Sequence, residues 1–116
     1  MRFTRSNTIL YCSRWQETVA FYRDILELSI TMQNEWFVEF HLTSGATLSV
    51  ADQSRATIDS SRGAGITISL HVDDVDQART TLEQRDVSPG NVRSIWGAQA
   101  FYLTDPEGTR LEFWGT

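Results

Sequence analysis

Glu112 stands alone among apolar neighbours in the closing stretch Ala100–Trp114 of a 116-residue chain. Strand alternation sends Leu111 and Phe113 into a core and turns Glu112, with Arg110 and Trp114, to the opposite face. A carboxylate on a sheet wall is either solvated or part of a site. In a site it accepts a hydrogen bond from a ligand, takes a proton as a general base, or coordinates a metal. The same parity brings Asn7, Glu39, His41, Ser49, Thr67, Ser69 and His71 to such faces. Trp96, Tyr102 and Trp114 add flat aromatic surfaces suited to stacking on a ring.

Other chemistries find less support. His41, His71 and Glu112 make a conceivable metal set, but isolated histidines are seldom ligands without partners at ligand spacing. Ordinary hydrogen-bonded side chains are the preferred reading of both. Cys12 ends a strand whose alternation buries it, which makes it inert packing rather than a nucleophile. Ser60 and Ser61 have no base nearby in sequence, and Gly63-Ala64-Gly65 is too short for a phosphate loop.

The elements that must position these groups follow from periodicity. Asn7–Cys12 reads as a strand, and Ser13-Arg14-Trp15-Gln16 has the form of a capping box opening a helix. Trp15, Val19, Tyr22 and Leu26 form one helical stripe. Strands follow over Leu28–Gln33, Trp36–Thr43 and Ala46–Ala51. After a polar stretch the order repeats: strand Ile66–Val72, a helix capped by Asp73 and running through Val75, Ala78, Arg79 and Leu82, then strand Val92–Trp96. Two more strands flank the turn at Asp105–Gly108. Val38, Phe40, Leu48, Val50, Ile68, Leu70, Leu111 and Phe113 are expected beneath the helices.

Strand ends align at fixed offsets. Asn7 to Thr67 and Cys12 to Val72 are both 60 apart, while Gly45 to Gly108, Leu48 to Leu111 and Ser49 to Glu112 are 63 apart. The change of three fits one small insertion between two copies of a unit. The fold class is therefore α+β, with two tandem β-α-β-β-β modules. The modules span 1–52 and 66–116, joined by a linker at 53–65.

Composition bounds the function. An apolar fraction of 41% and a net charge of −5 suit one globular domain and argue against nucleic acid or anionic membrane as partner. No stretch is apolar enough to span a bilayer, the start lacks a signal-peptide run, and one cysteine forms no internal disulfide. A cytoplasmic location is expected.

The two modules, the phrase Thr18–Leu26 and the Asp-Pro-Glu-Gly…Leu-Glu-Phe ending resemble the vicinal oxygen chelate superfamily. That superfamily includes glyoxalase I, extradiol dioxygenases and bleomycin-resistance proteins. The resemblance implies that the modules' curled mixed sheets enclose a cavity, and that the chain forms a homodimer. It also implies ligand positions at Asn7, Ser49, Thr67 and Glu112, of which Glu112 alone is a normal ligand for a divalent ion. No metal and no cofactor are expected. The phrase Trp96-Gly97, followed by Phe101 and the turn, resembles bleomycin-resistance proteins, which sequester planar cationic drugs; Thr109 departs from the Asn common there.

The expected function is metal-independent binding of a small organic molecule, neutral or cationic and bearing a planar ring, with drug sequestration as one form. Asn7, Glu39, His41, Ser49, Thr67, His71, Trp96, Tyr102, Glu112 and Trp114 are the candidate binding residues. The alternative is a lyase or isomerase using Glu112 as general base or sole retained metal ligand. An interaction module with a vestigial pocket is a third reading.

Overall fold

A parallel strand pair needs a crossover between its members, and each half of this chain supplies one through a helix. The computed structural model describes residues 1–116 and divides into two units, Met1–Arg62 and Gly63–Thr116. Each unit carries one four-stranded, curled, mixed sheet. No helix is long and apolar enough to cross a membrane.

The first unit runs β1 (Ser6–Cys12), α1 (Trp15–Ala20), β2 (Ile30–Gln33), β3 (Phe37–Thr43) and β4 (Ala46–Asp52), in sheet order β1-β4-β3-β2. β1 lies parallel to β4, and the remaining pairs are antiparallel. Leu10, Val38, Phe40, Leu48 and Val50 are buried on one face, against Val19, Phe21 and Tyr22. The helix widens after Ala20 into a π-type turn over Phe21–Ile25, where the Leu26 N–H donates to the Phe21 carbonyl at 3.2 Å. That widening turns both Phe21 and Tyr22 inward, where a regular stripe takes only one. Their rings meet edge to face at 5.1 Å.

The helix starts one residue later than the Ser13 cap position. Arg14 occupies the cap without a side-chain cap bond, and its guanidinium pairs with Glu17 at 2.9 Å instead. The Thr18 hydroxyl donates to the Arg14 carbonyl at 2.7 Å. Beyond β4, Asp52 caps a 3₁₀ turn over Gln53–Arg55 by accepting from the Ser54 N–H.

The second unit repeats the order: β5 (Thr67–His71), α2 (Val75–Glu83), β6 (Arg93–Ile95), β7 (Ala98–Thr104) and β8 (Arg110–Gly115), arranged β5-β8-β7-β6. Asp74, not Asp73, caps α2, since its carboxylate reaches the Gln77 N–H three residues on at 3.0 Å. Phe101 and Phe113 stack at 5.0 Å under the helix, with Leu82, Leu103 and Leu111 buried around them. Ile68 and Leu70, expected in the core, are only half-buried on the edge strand β5.

Register carries the duplication down to single pairs. Asn7 faces Thr47 as Thr67 faces Arg110, and Glu39 faces Ser49 as Tyr102 faces Glu112. Asp105, only 3% exposed, sets the start of β8 by accepting from the Glu107 and Thr109 N–H groups at 2.9 Å. Gly63 lies against this turn at φ +79°, and a Cβ there would collide with the Gly108 carbonyl.

Candidate functional site

Strands β5, β8 and β7 bring Ser69, Glu112 and Tyr102 side by side in one row of the second sheet. Cross-strand partners share a face, so the two hydroxyls flank the carboxylate. Ser69 donates to Glu112 Oε1 at 2.5 Å, and the Tyr102 hydroxyl donates to Oε2 at 3.0 Å. Glu112 is thereby held by one donor on each oxygen, with its remaining lone pairs open to a further donor. The hydrogen bond to Glu112, followed by loss of hydration, holds the Tyr102 phenol above its ordinary pKa, while Arg110 and Arg93 pull it down.

Rows on either side extend the face. Arg110 donates through Nε to the Thr67 hydroxyl at 3.0 Å and lies with its guanidinium carbon 4.5 Å from the Tyr102 ring centroid. Trp114 pairs in register with Ala100 and His71, and the His71 ring meets it edge-on at 4.7 Å. Beyond Ala100 comes Arg93.

A cleft of about 240 Å³ opens on this face, lined by Ile95, Trp96, Ala98, Ala100, Glu112 and Trp114. Its walls are small apolar side chains and two indoles, with one carboxylate. Sites for drug-sized molecules run to roughly 300–1,000 Å³, so this cleft suits a single ring system. Trp96 and Gly97 make the two-residue turn between β6 and β7, both at positive φ, 52° and 78°. This is a type I′ geometry that favours Asn, Asp or Gly at its first position. A tryptophan there carries strain of order 1–3 kcal/mol. Trp96 is 100% exposed, so no burial offsets that strain. This strained, exposed residue stands on the rim of the apolar cleft.

The first unit arranges its own candidates differently. Asn7 Oδ1 accepts from Ser49 at 2.7 Å and from Thr47 at 2.9 Å, and Ser49 is fully buried. Glu39 Oε1 accepts from the Thr31 hydroxyl at 2.8 Å. Glu39 and His41 line a separate hollow with Arg5, Thr31 and Thr47. Thus Trp96, Glu112 and Trp114 meet in one cleft with Tyr102 bonded at its edge. Asn7 and Ser49 pair with each other, Thr67 with Arg110, and His71 with Trp114. Arg93, Ile95, Ala98 and Ala100 belong to the same face but are absent from the sequence-based set. Treating Trp96-Gly97 as a two-residue turn gives Arg93 and Ile95 the parity that finds them.

The profile of the glyoxalase/bleomycin resistance protein/dioxygenase superfamily matches residues 5–113. The chain belongs to that superfamily. Solved structures agree at the level of the fold. A lactoylglutathione lyase from Agrobacterium tumefaciens is 22% identical over 94% of this chain and 90% of that one, with a TM-score of 0.77. A superfamily protein from Nocardioides superposes with a TM-score of 0.82 at 18% identity, covering 99% of this chain and 84% of its own. TnmS3, an antibiotic binding protein from Streptomyces sp. CB03234, gives 0.79 at 15% identity over 99% and 95%. No curated protein sequence matches the chain significantly.

The superfamily name covers metal-dependent enzymes, so the donor set is the test. Of Asn7, Ser49, Thr67 and Glu112, one is a carboxylate, one an amide and two are hydroxyls. Asn7 and Ser49 already satisfy each other, and Glu112 is held on both oxygens. No three His, Cys, Asp or Glu side chains cluster in a way that suits a metal ion. These residues do not fit a divalent cation, which wants several anionic or imidazole donors.

Proposed function

We propose that the cleft of the second unit binds a small organic molecule through one planar ring, with no bound metal and no turnover. The observation that carries this reading is the pairing of a fixed carboxylate with an aromatic and apolar wall. Glu112 takes a donor from the ligand, Trp114 forms the floor, and the exposed Trp96 closes on the ring from the turn. Stacking on an indole supplies affinity, and the held carboxylate supplies orientation. The chain's net charge of −5 favours approach by neutral or cationic molecules over anions.

Drug sequestration is one form of this activity, and the shared fold with an antibiotic binding protein is in keeping with it. The competing reading, proton abstraction by Glu112, draws on the fold shared with lactoylglutathione lyase. It uses the same open lone pairs of Glu112 to remove a proton from the ligand, so turnover is what separates the two readings. To test the proposal, metal-depleted protein is incubated with a panel of planar aromatic amines, and bound ligand is recovered for mass spectrometry. Saturable binding with ligand recovered unchanged is expected. Steady conversion that disappears with Glu112→Gln would establish the enzyme instead.

A further inference from the structure

The second sheet's polar face has a charge opposite to that of the chain. In-register pairing gives this face Arg93, Arg110, Glu112, Tyr102 and His71 as its titratable side chains. With His71 neutral, two guanidiniums stand against one carboxylate, on a chain whose net charge is −5. Exposed charges further off than a Debye length of about 8 Å are largely screened at physiological ionic strength. On the face itself the two arginines outnumber its single carboxylate.

Both guanidiniums are gathered on one ring. Their central carbons lie 4.5 Å (Arg110) and 6.0 Å (Arg93) from the Tyr102 centroid, so they are no further apart than the sum of those distances. Stacking on a ring uses the face of a guanidinium and leaves its in-plane N–H groups directed outward. Arg110 spends only Nε, on Thr67. Neither arginine is in an ion pair, although four other arginines are. Both are exposed. Guanidinium forks without a carboxylate partner match the planar, bidentate geometry of a carboxylate brought by a ligand.

We infer that the ligand of this cleft carries an anionic group, a carboxylate in its simplest form, held by Arg93 and Arg110 while Glu112 takes an ammonium or N–H donor of the same molecule. Resting on the reading of the cleft as a ring-binding site, this narrows the ligand to a zwitterion of amino-acid type with a flat side chain. Such a molecule is neutral overall, so the acidic chain does not repel it, yet each of its ends meets an opposite charge.

Three probes that share one ring separate the two ideas: naphthylalanine with both charges, naphthylethylamine with the ammonium alone, and naphthylpropanoate with the carboxylate alone. Binding is followed at the Trp96 and Trp114 indole N–H resonances. Naphthylalanine is expected to bind about tenfold more tightly than the amine, the usual size of one charge-assisted hydrogen-bond set. Arg93→Gln with Arg110→Gln removes that advantage and leaves the amine's affinity unchanged or higher. Arg110→Lys, which keeps charge but not the fork, falls between. Circular dichroism confirms that each variant keeps its fold. Equal affinity for amine and amino acid, or an advantage that survives both glutamine substitutions, overturns the inference while the ring site stands. If no probe moves either tryptophan, the ring site itself is wrong and the inference falls with it.

Discussion

Glu112→Gln keeps the fold and weakens amine-bearing ring ligands by roughly tenfold to a hundredfold. That range corresponds to the approximately 1.5–3 kcal/mol carried by a hydrogen bond to a charged group. Glutamine has the same shape, so the wall of the cleft is preserved, but the negative charge is gone and one acceptor becomes a donor. The Ser69 and Tyr102 hydroxyls, each now donating to a carboxylate oxygen, must share one amide oxygen or turn away. A second readout comes from Tyr102. Its phenol titrates above the ordinary value because the neutral form donates to Glu112. The stability contributed by this pair is fully present below the unfolded tyrosine pKa and is lost as pH rises through the raised folded value. In Glu112→Gln the Tyr102 titration, followed by NMR of labelled tyrosine, moves down toward the unfolded value, and the alkaline loss of stability that the pair causes shrinks with it. Unchanged amine affinity in the variant, with the phenol titrating as before, would show that Glu112 does not have this role.

Trp114→Ala weakens every flat-ring ligand, whatever its charge, by about 1–3 kcal/mol, the range for truncating an aromatic anchor. The indole is half-buried between the cleft and His71, so removing it takes away the floor on which a ring stacks. Trp114→Phe, which retains a ring, recovers part of the loss. Calorimetric titration that gives equal affinities for the parent and the alanine variant would remove stacking from the site. The contrast with Glu112→Gln is one of selectivity. Loss of the carboxylate discriminates among ligands by their donor groups, whereas loss of the indole does not.

Strand parity made most of this face legible. Leu111 and Phe113 are buried and Glu112 lies opposite them because alternation leaves only two choices. The offsets of 60 and 63 reappear as matched register pairs for the same reason. Where two residues compete for one role, sequence cannot choose. Asp73 and Asp74 are equally good caps by type, and reach to the Gln77 N–H decides between them. The turn position of Trp96, though not its candidacy, was hidden by its chemistry, since an aromatic residue after Ser94 and Ile95 reads as strand. Its positive φ runs against that preference, and the turn it makes gives Arg93 and Ile95 their place on the face. Ser49 has the parity of a lining residue but is fully buried, closed off beside Asn7. Parity assigns a side to a residue and says nothing of what covers it.

Four tryptophans make the decisive measurement possible, two in each unit. Trp15 donates its indole N–H to the Val50 carbonyl at 2.9 Å, and Trp36 meets the Phe37 ring edge-on at 5.6 Å. Trp96 and Trp114 line the cleft of the second unit. Titrating labelled protein with naphthylalanine reads all four indole N–H resonances in one spectrum. Saturable shifts at Trp96 and Trp114, with Trp15 and Trp36 unmoved, are expected if the ring sits where the second sheet places it. Shifts confined to Trp15 or Trp36, or none at any of the four, would contradict a ligand site in this cleft.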